Sequence, residues 1–290
     1  MEIAAIMAAR KSLFDEYLRD YLSGFDKASG LQAACAYSLS AGGKRLRPVL
    51  AMLACETVGG AAEQVMGAAL AVEMIHTFSL IHDDLPAIDN DDMRRGMATC
   101  HNVFGEATAI LAGDALIFAA FALIGSSGYA PAVQADLARK TAECCGLKGL
   151  IEGEYTDIMA EGRHVSLDAI EQIYRRKTGK LFELCLYAGG RVAGGGSDQL
   201  TALEHFGAHL GLAFQAIDDI LDVTSNIDAL GKTPGKDALQ DKATIVKALG
   251  LERAKEWAQK ETSRAVAALD GITTAGTLID LAHDLLGRVK

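Results

Sequence analysis

Apolar residues recur at every third and fourth position along most of this chain, which is the spacing of side chains on one face of an α-helix. The segments with this spacing are residues 2–29, 63–84, 105–126, 130–160, 210–223 and 249–290. Only four prolines interrupt them, and stretches that alternate apolar and polar residues are scarce. The pattern therefore predicts an all-α protein.

The predicted helices belong to one domain that covers residues 1–290. No repeat, low-complexity segment or stretch rich in Pro, Gly and Ser divides the chain. Half of the residues are hydrophobic, which is ample for a single core. The one substantial loop is 225–244, where three glycine and proline residues accompany three lysines.

Charge and cysteine usage exclude several classes of protein. A formal net charge of -10 argues against nucleic acid as a general partner. The six cysteines lack the spacing of zinc sites or redox pairs, which favours reduced thiols in a cytoplasmic protein. The first residues lack the pattern of a signal peptide, and no uncharged apolar run reaches the length of a membrane span.

The first candidate for chemistry is an acidic stretch that follows an apolar helix. Asp83, Asp84 and Asp89 have the pattern D-D-x4-D, and Pro86 disfavours helix before it, so Asp89 is expected on a loop. Carboxylate oxygens with few His or Cys neighbours suit Mg2+, which takes phosphate oxygens as its other ligands. Arg94 and Arg95 follow, and this arginine pair suits the same phosphate. The alternative is a solvated acidic helix end.

A second acidic stretch lies within another apolar helix. Asp218 and Asp222 are four residues apart and share one helix face, with Asp219 beside them. Three aspartates in an apolar helix are costly to desolvate unless they are paired or bind metal. The two stretches together predict a site in which Mg2+ ions hold a diphosphate.

Basic residues are concentrated at a few other points. The sequence Gly42-Gly-Lys-Arg-Leu-Arg-Pro48 places three cations before an apolar helix, which indicates an anion site or a solvated basic turn. Lys177 and Thr178 follow Tyr174-Arg-Arg at an apparent helix break, where the lysine binds phosphate or faces solvent. The loop with Lys232 follows the second acidic helix and is placed to close over a diphosphate, or is solvated.

Two residues on the first acidic helix have both a functional and an ordinary interpretation. His76 lies seven residues before Asp83, about two turns below it on a similar face. It is a ligand or a packed core histidine. Phe78 lies five residues before Asp83 and either closes the bottom of a pocket or packs in the core.

These residues resemble the short-chain trans-prenyltransferases of the polyprenyl synthase family, most closely the bacterial-type farnesyl diphosphate synthases. The matching segments are Gly42–Pro48, both aspartate stretches with Arg94-Arg-Gly96, Phe104–Leu116, Lys177-Thr-Gly179, Phe214-Gln215 and Gly231-Lys232. The resemblance covers almost the whole chain. It implies the isoprenoid synthase fold, in which about ten or more helices form a single-domain bundle around a deep central cavity.

The resemblance also implies the reaction, which is head-to-tail condensation of isopentenyl diphosphate with dimethylallyl or geranyl diphosphate. Roughly three Mg2+ ions would be held by Asp83, Asp89 and Asp218, with Asp84, Asp219 and Asp222 completing the shells. The allylic diphosphate would also contact Arg94, Lys177 and Lys232. Isopentenyl diphosphate would bind Lys44, Arg47, His76 and Arg95. Thr178 and Gln215 oxygens would stabilise the carbocation, and released diphosphate would take the proton.

An aromatic residue at Phe78 implies a product of fifteen carbons, farnesyl diphosphate, and the family implies a homodimer. The chain departs from the family pattern at Ala98, where Pro is usual, and at Ile245-Val246, where Tyr-Pro is usual. Glu154 and Tyr155 also depart and add a charge and a ring near the expected allylic pocket.

Three alternatives remain open. A geranylgeranyl diphosphate synthase would fit if Phe78 did not face the chain. A class I terpene cyclase would share the metal chemistry, but its N-D-x-x-S-x-x-x-E partner sequence is absent. A non-catalytic subunit of a prenyltransferase is expected to have lost aspartates that are intact in this chain.

Overall fold

The computed structural model describes residues 2–26, 28–163, 165–224 and 242–289. The helices are α1 (Ile3–Ser23), α2 (Gly30–Ser40), α3 (Leu46–Thr57), α4 (Met66–Asp83), α5 (Cys100–Phe104), α6 (Glu106–Ser126), α7 (Pro131–Cys145), α8 (Leu150–Ala160), α9 (Leu167–Tyr174), α10 (Lys180–Val192), α11 (Ser197–Thr224), α12 (Ile245–Leu249), α13 (Leu251–Ala268) and α14 (Gly276–Gly287). Strands β1 (Met93–Arg94) and β2 (Met97–Ala98) form a small antiparallel hairpin. The all-α prediction is confirmed.

Helices α3, α10 and α11 pack closely because glycines line their contacts. A Cβ atom on Gly189 of α10 would lie 2.1 Å from the Ala51 carbonyl oxygen of α3. A Cβ atom on Gly211 of α11 would lie 2.6 Å from the Cα atom of Gly179, just before α10. These approaches leave no room for side chains and fix α11, which carries the second acidic stretch, against the start of α10.

The segment 130–160, predicted as one helix, is two helices in the structure. Helix α7 ends at Cys145 and α8 begins at Leu150. A Cβ atom on Gly149 would lie 1.8 Å from the Cys144 carbonyl oxygen, so the turn between the helices requires glycine at this position. The prediction of a continuous helix was wrong because its apolar spacing persists across a turn that depends on backbone contact.

Two helical segments, 62–83 and 106–126, are long and apolar enough to cross a membrane by length and composition. The first is 89% buried, as expected of a core helix, whereas the second is 39% buried. Helix α6 exposes Ile110, Leu111 and Phe118, the last with 74% of its surface accessible. These three residues form an apolar surface, the α6 face.

Candidate active site

A π-helical turn, Arg175–Gly179, joins α9 to α10 and carries two of the predicted site residues. Such turns are rare and occur often at functional sites because they redirect side chains from a regular helix. Helix α8 approaches this turn so closely that a Cβ atom on Gly153 would lie 2.3 Å from the Lys177 backbone nitrogen. The contact fixes Lys177 and Thr178 relative to α8.

Lys177 is held by two carboxylates of α8. Its Nζ atom lies 2.7 Å from Glu154 Oε2 and 2.7 Å from Asp157 Oδ2. Burial lowers the pKa of Lys177, but the charges of Asp157, Glu154 and Asp83 outweigh burial and raise it. The lysine is therefore a fixed cation whose neighbours include the first acidic stretch.

Thr178, beside Lys177, connects to the second acidic stretch. The Thr178 hydroxyl donates to Gln215 Oε1 at 3.0 Å, and Gln215 Nε2 donates to Asp219 Oδ1 at 3.2 Å. The other Asp219 oxygen accepts from the Tyr174 hydroxyl and, at 3.2 Å, from the Ile245 backbone N–H. Asp219 is thus buried and bonded on both oxygens, which distinguishes it from a carboxylate open to a metal.

The first acidic stretch is folded back on its own helix, as the position of Pro86 predicts. The Asp89 N–H donates to the Asp83 carbonyl at 2.8 Å. Arg94 from β1 donates to Asp84 through Nε at 2.9 Å and through Nη2, and lies 3.4 Å from Asp91. Lys242 donates to both oxygens of Asp89, at 3.0 and 3.2 Å. Cations therefore already balance part of this acidic cluster.

Asp83 is the least stabilised of these carboxylates. Burial, and then the negative charge of Glu154, raise the pKa of Asp83 to about 7 despite Lys177 nearby. Burial likewise raises the pKa of Asp84, although Arg94 opposes it. A buried carboxylate with excess negative charge around it favours an added cation.

The donor set fits Mg2+ in chemistry. The described residues contain no group of three or more His, Cys, Asp or Glu side chains arranged around one point. Mg2+ is commonly held by one or two carboxylates, with water and substrate phosphate filling its octahedron. The six aspartates predicted as ligands lie on and beside two helices, and one of them, Asp219, is already bonded on both oxygens: Asp83, Asp84, Asp89, Asp218, Asp219 and Asp222.

Three of the four residues predicted to bind isopentenyl diphosphate form a cluster. His76 Nε2 lies 3.0 Å from Arg47 Nη1 and 3.4 Å from Arg95 Nη2. Burial and these two guanidinium groups hold the pKa of His76 well below 6.5, so its neutral ring accepts from both. Arg95 also donates to the Gly42 carbonyl at 2.8 Å. A Cβ atom on Gly43 would lie 2.8 Å from Arg95 Cζ.

The remaining basic residues of this segment have different surroundings. The Lys44 residue is largely exposed. The pKa of its ammonium group is nevertheless lowered by partial burial and by the charge of Arg288, and the charge of Asp218 opposes this shift. It borders a cavity of about 370 Å³ lined also by Phe214 and Arg288. Arg45, by contrast, is buried against Glu73 at 2.7 Å and stabilises the fold.

Phe78 is buried on α4, one turn before His82. The two rings meet edge to face with centroids 5.8 Å apart. A Cβ atom on Gly113 of α6 would overlap His82, 2.1 Å from Nε2, so glycine lets this pair fit between α4 and α6. Phe78 therefore occupies a fixed position on α4, five residues before Asp83.

The structure thus brings Lys177, Thr178 and Gln215 together, and separately Arg47, His76 and Arg95. Lys232 lies outside the described residues. Two contacting residues, Asp157 and Tyr174, were given no role from the sequence. Glu154 was predicted only as an added charge near the allylic pocket, and Lys242 only as one lysine of the loop. The three-residue spacing of Glu154 and Asp157 was the available signal, since it places both on one face of a helix.

Known proteins are similar to this chain in sequence and architecture. The polyprenyl synthetase family matches residues 28–271. A chloroplastic geranylgeranyl pyrophosphate synthase of Capsicum annuum is 47% identical over 263 residues, covering 89% of this chain and 71% of that protein. A farnesyl diphosphate synthase of Bacillus subtilis is 38% identical over 289 residues, covering 98% of this chain and 97% of that protein.

Solved structures agree with the sequence relatives. A geranyltransferase of Helicobacter pylori, in complex with magnesium and isoprenyl diphosphate, superimposes with a TM-score of 0.83. It is 31% identical, and the match covers 95% of this chain and 94% of that chain. The helical bundle is accordingly the isoprenoid synthase fold. This chain belongs to the polyprenyl synthetase family and is a prenyltransferase with prenyl diphosphate synthase activity.

Proposed function

We propose that residues 1–290 act as one Mg2+-dependent domain that condenses isopentenyl diphosphate with dimethylallyl or geranyl diphosphate to give farnesyl diphosphate. The observation that carries this proposal is the pair Lys177-Thr178. The charge of Lys177 acts on Asp83, and the Thr178 hydroxyl bonds Gln215, which bonds Asp219. Adjacent residues thus connect both acidic stretches, where an allylic diphosphate would lie.

The allylic substrate reacts by breaking its bond from carbon to diphosphate. When bound, Mg2+ would supply the positive charge that neutralises the leaving diphosphate. Asp83, Asp89 and Asp218 are the proposed metal ligands, and Asp84, Asp219 and Asp222 complete the shells directly or through water. Arg94, Lys177 and Lys232 are proposed to contact the same diphosphate. Fixed cations aimed at developing negative charge lower the barrier because they need no reorganisation.

The carbocation that remains requires dipoles rather than nucleophiles beside it. The Thr178 proton is directed to Gln215 Oε1 at 3.0 Å, so the Thr178 oxygen keeps lone pairs for the cation. Gln215 is itself fixed by its bond to Asp219. The pair therefore stabilises positive charge without a free acid or base.

Isopentenyl diphosphate is proposed to bind the second pocket, which is the cluster of Arg47, His76 and Arg95, with Lys44 reaching it from outside the cluster. The two guanidinium groups meet at a neutral histidine, so the pocket is strongly positive. Its diphosphate stays attached because this pocket has basic residues in place of the metal-binding aspartates. The double bond attacks the cation, and the released diphosphate takes the proton.

Condensation by the purified chain tests this proposal. We expect labelled isopentenyl diphosphate to be joined to geranyl diphosphate in Mg2+ and not in excess EDTA. Cyclised products without use of isopentenyl diphosphate would indicate a terpene cyclase. A folded chain that gains activity only with a second protein would indicate a non-catalytic subunit.

Phe78 is proposed to stop the chain at fifteen carbons. Its buried, fixed place on α4 below Asp83 supports farnesyl diphosphate. The name of the Capsicum annuum relative favours the second candidate, geranylgeranyl diphosphate. The products of the wild type and of Phe78→Ala distinguish the two candidates. We expect farnesyl diphosphate from the wild type and longer chains from Phe78→Ala. Twenty-carbon product from the wild type would overturn the assignment.

The protein is further proposed to be a cytoplasmic homodimer without a membrane span. All six cysteines are buried and unpaired, which suits a reducing compartment. The α6 face is an apolar surface that a second copy would cover.

A further inference from the structure

Lys177, like Arg94, is bound by two carboxylates at once, but its partners Glu154 and Asp157 both lie on α8, outside the two acidic stretches. Glu154 Oε2 and Asp157 Oδ2 each lie 2.7 Å from its Nζ atom, and all three side chains are at most 24% exposed. A lysine ammonium has three N–H donors. Two of them are used by α8, so one is left for a substrate.

The charge of this group is negative. One lysine with two carboxylates has a formal charge of 1 − 2 = −1. In the other pocket, Arg47 and Arg95 donate to uncharged acceptors, His76 and the Gly42 carbonyl. The group around Lys177 is therefore negative, whereas the Arg47–His76–Arg95 cluster is positive, before any substrate or metal binds.

The lysine cannot easily leave this arrangement. The backbone of α8 at Gly153 contacts the π-helical turn so closely that an added Cβ atom would lie 2.3 Å from the Lys177 nitrogen. Glu154 is the next residue, and Asp157 lies on the same helix face. Both carboxylates are thus positioned by the packing of α8 and not by flexible loops.

We propose that Glu154 is a positioning residue that makes diphosphate binding in the allylic pocket depend on divalent metal. It orients the one remaining Lys177 donor and cancels the lysine charge, so a bare diphosphate meets net negative charge. A diphosphate that arrives with metal ions does not. This inference rests on the proposed function, because it assigns Lys177 to the allylic diphosphate.

The test uses inorganic pyrophosphate and the isosteric variant Glu154→Gln. Calorimetry in EDTA should show that metal-free pyrophosphate binds the variant at least roughly tenfold more tightly than the wild type. The removal of one negative charge beside Lys177 is expected to change the binding free energy by the equivalent of about one pKa unit, which is a tenfold change in affinity. In the same variant the Mg2+ concentration for half-maximal pyrophosphate binding should rise several-fold. The matched control is Glu152→Gln on the same helix, whose carboxylate lies 3.8 Å from Arg176. It should behave as wild type in both titrations.

Equal metal-free affinity in wild type, Glu154→Gln and Glu152→Gln would overturn the inference. Glu154→Ala provides a second variant without the charge, and circular dichroism establishes that each variant is folded. A failure of the proposed function can be distinguished from a failure of this inference, because it would appear as a wild-type chain that does not condense its substrates. A wild type that condenses them, with no effect of Glu154→Gln on metal-free binding, would reject this inference alone.

Discussion

Aspartates of the same sequence pattern have different partners in this molecule. Asp219 accepts from Tyr174, Gln215 and the Ile245 N–H, whereas Asp83 is buried with a raised pKa. A bonded carboxylate stabilises the fold, and a crowded one favours a metal ion. Spacing in the sequence gives all six aspartates the same expected role because it contains no information on these partners.

Removal of the Tyr174 hydroxyl should destabilise the protein. Tyr174→Phe removes a hydroxyl that bonds both Asp219 Oδ2 and the Ile245 N–H and leaves these two buried groups only their 3.2 Å bond to each other, which costs about 1–3 kcal/mol of unfolding free energy. Urea denaturation measures the change. Tyr155→Phe, at an exposed tyrosine of α8, is the control and should be neutral. Equal effects of the two variants would contradict the role of the buried network.

His76 should make stability depend on pH. Its folded pKa is well below the ordinary value of 6.5, so below about 6.5 the unfolded chain takes up a proton that the folded protein does not. Stability is then lost as pH falls, by up to about 1.4 kcal/mol per pH unit. His76→Gln keeps an acceptor and cannot be protonated in this range.

The contribution of His76 to the pH dependence of stability is measured by comparing the unfolding free energies of the wild type and His76→Gln between about pH 7 and pH 5. The wild type should lose stability relative to the variant as pH falls. His205→Gln, at an exposed histidine, serves as the reference substitution. Parallel curves for wild type and His76→Gln would show that His76 is not held neutral.

At the scale of elements, the decisive contact is α8 against the π-helical turn. Periodicity predicted most helices, because buried faces repeat with the helical period. Periodicity did not predict the turn before α8, where a close backbone contact requires a glycine, Gly149. It did not predict the Lys177 contacts either, because they arise only once two distant segments pack.

A larger residue at Gly153 should separate these elements. In Gly153→Ala the new Cβ atom would lie 2.3 Å from the Lys177 nitrogen, so α8 must move. We expect a loss of about 1–3 kcal/mol in stability and a lower condensation rate. Gly125→Ala on α6, where no atom lies within 4 Å of the added Cβ, is the control. Wild-type activity and stability in Gly153→Ala would refute the contact.

At the scale of the whole molecule, the apolar surface is unevenly distributed. Helix α4 is enclosed in the core, whereas α6 keeps Ile110, Leu111 and Phe118 exposed. An apolar surface of this kind on a folded chain indicates an interface. The composition of α6 alone does not distinguish a membrane from a second copy, and the proposed homodimer predicts the latter.

A charge on the α6 face should dissociate the proposed dimer. Phe118→Glu is expected to convert a dimer into a monomer in sedimentation velocity experiments, because it places a carboxylate in an apolar interface. Leu147→Glu, at an 86% exposed leucine elsewhere, should leave the assembly unchanged. A monomeric wild type, or a dimeric Phe118→Glu, would contradict this interface.

The most direct test of the proposed active site is the position of metal ions in crystals grown with Mn2+ and a thiolodiphosphate analogue of geranyl diphosphate. Anomalous scattering should place Mn2+ between Asp83 and Asp89 on one side and Asp218 on the other, around a diphosphate contacted by Lys177. Manganese bound at one acidic stretch only, or a diphosphate away from Lys177, would contradict it.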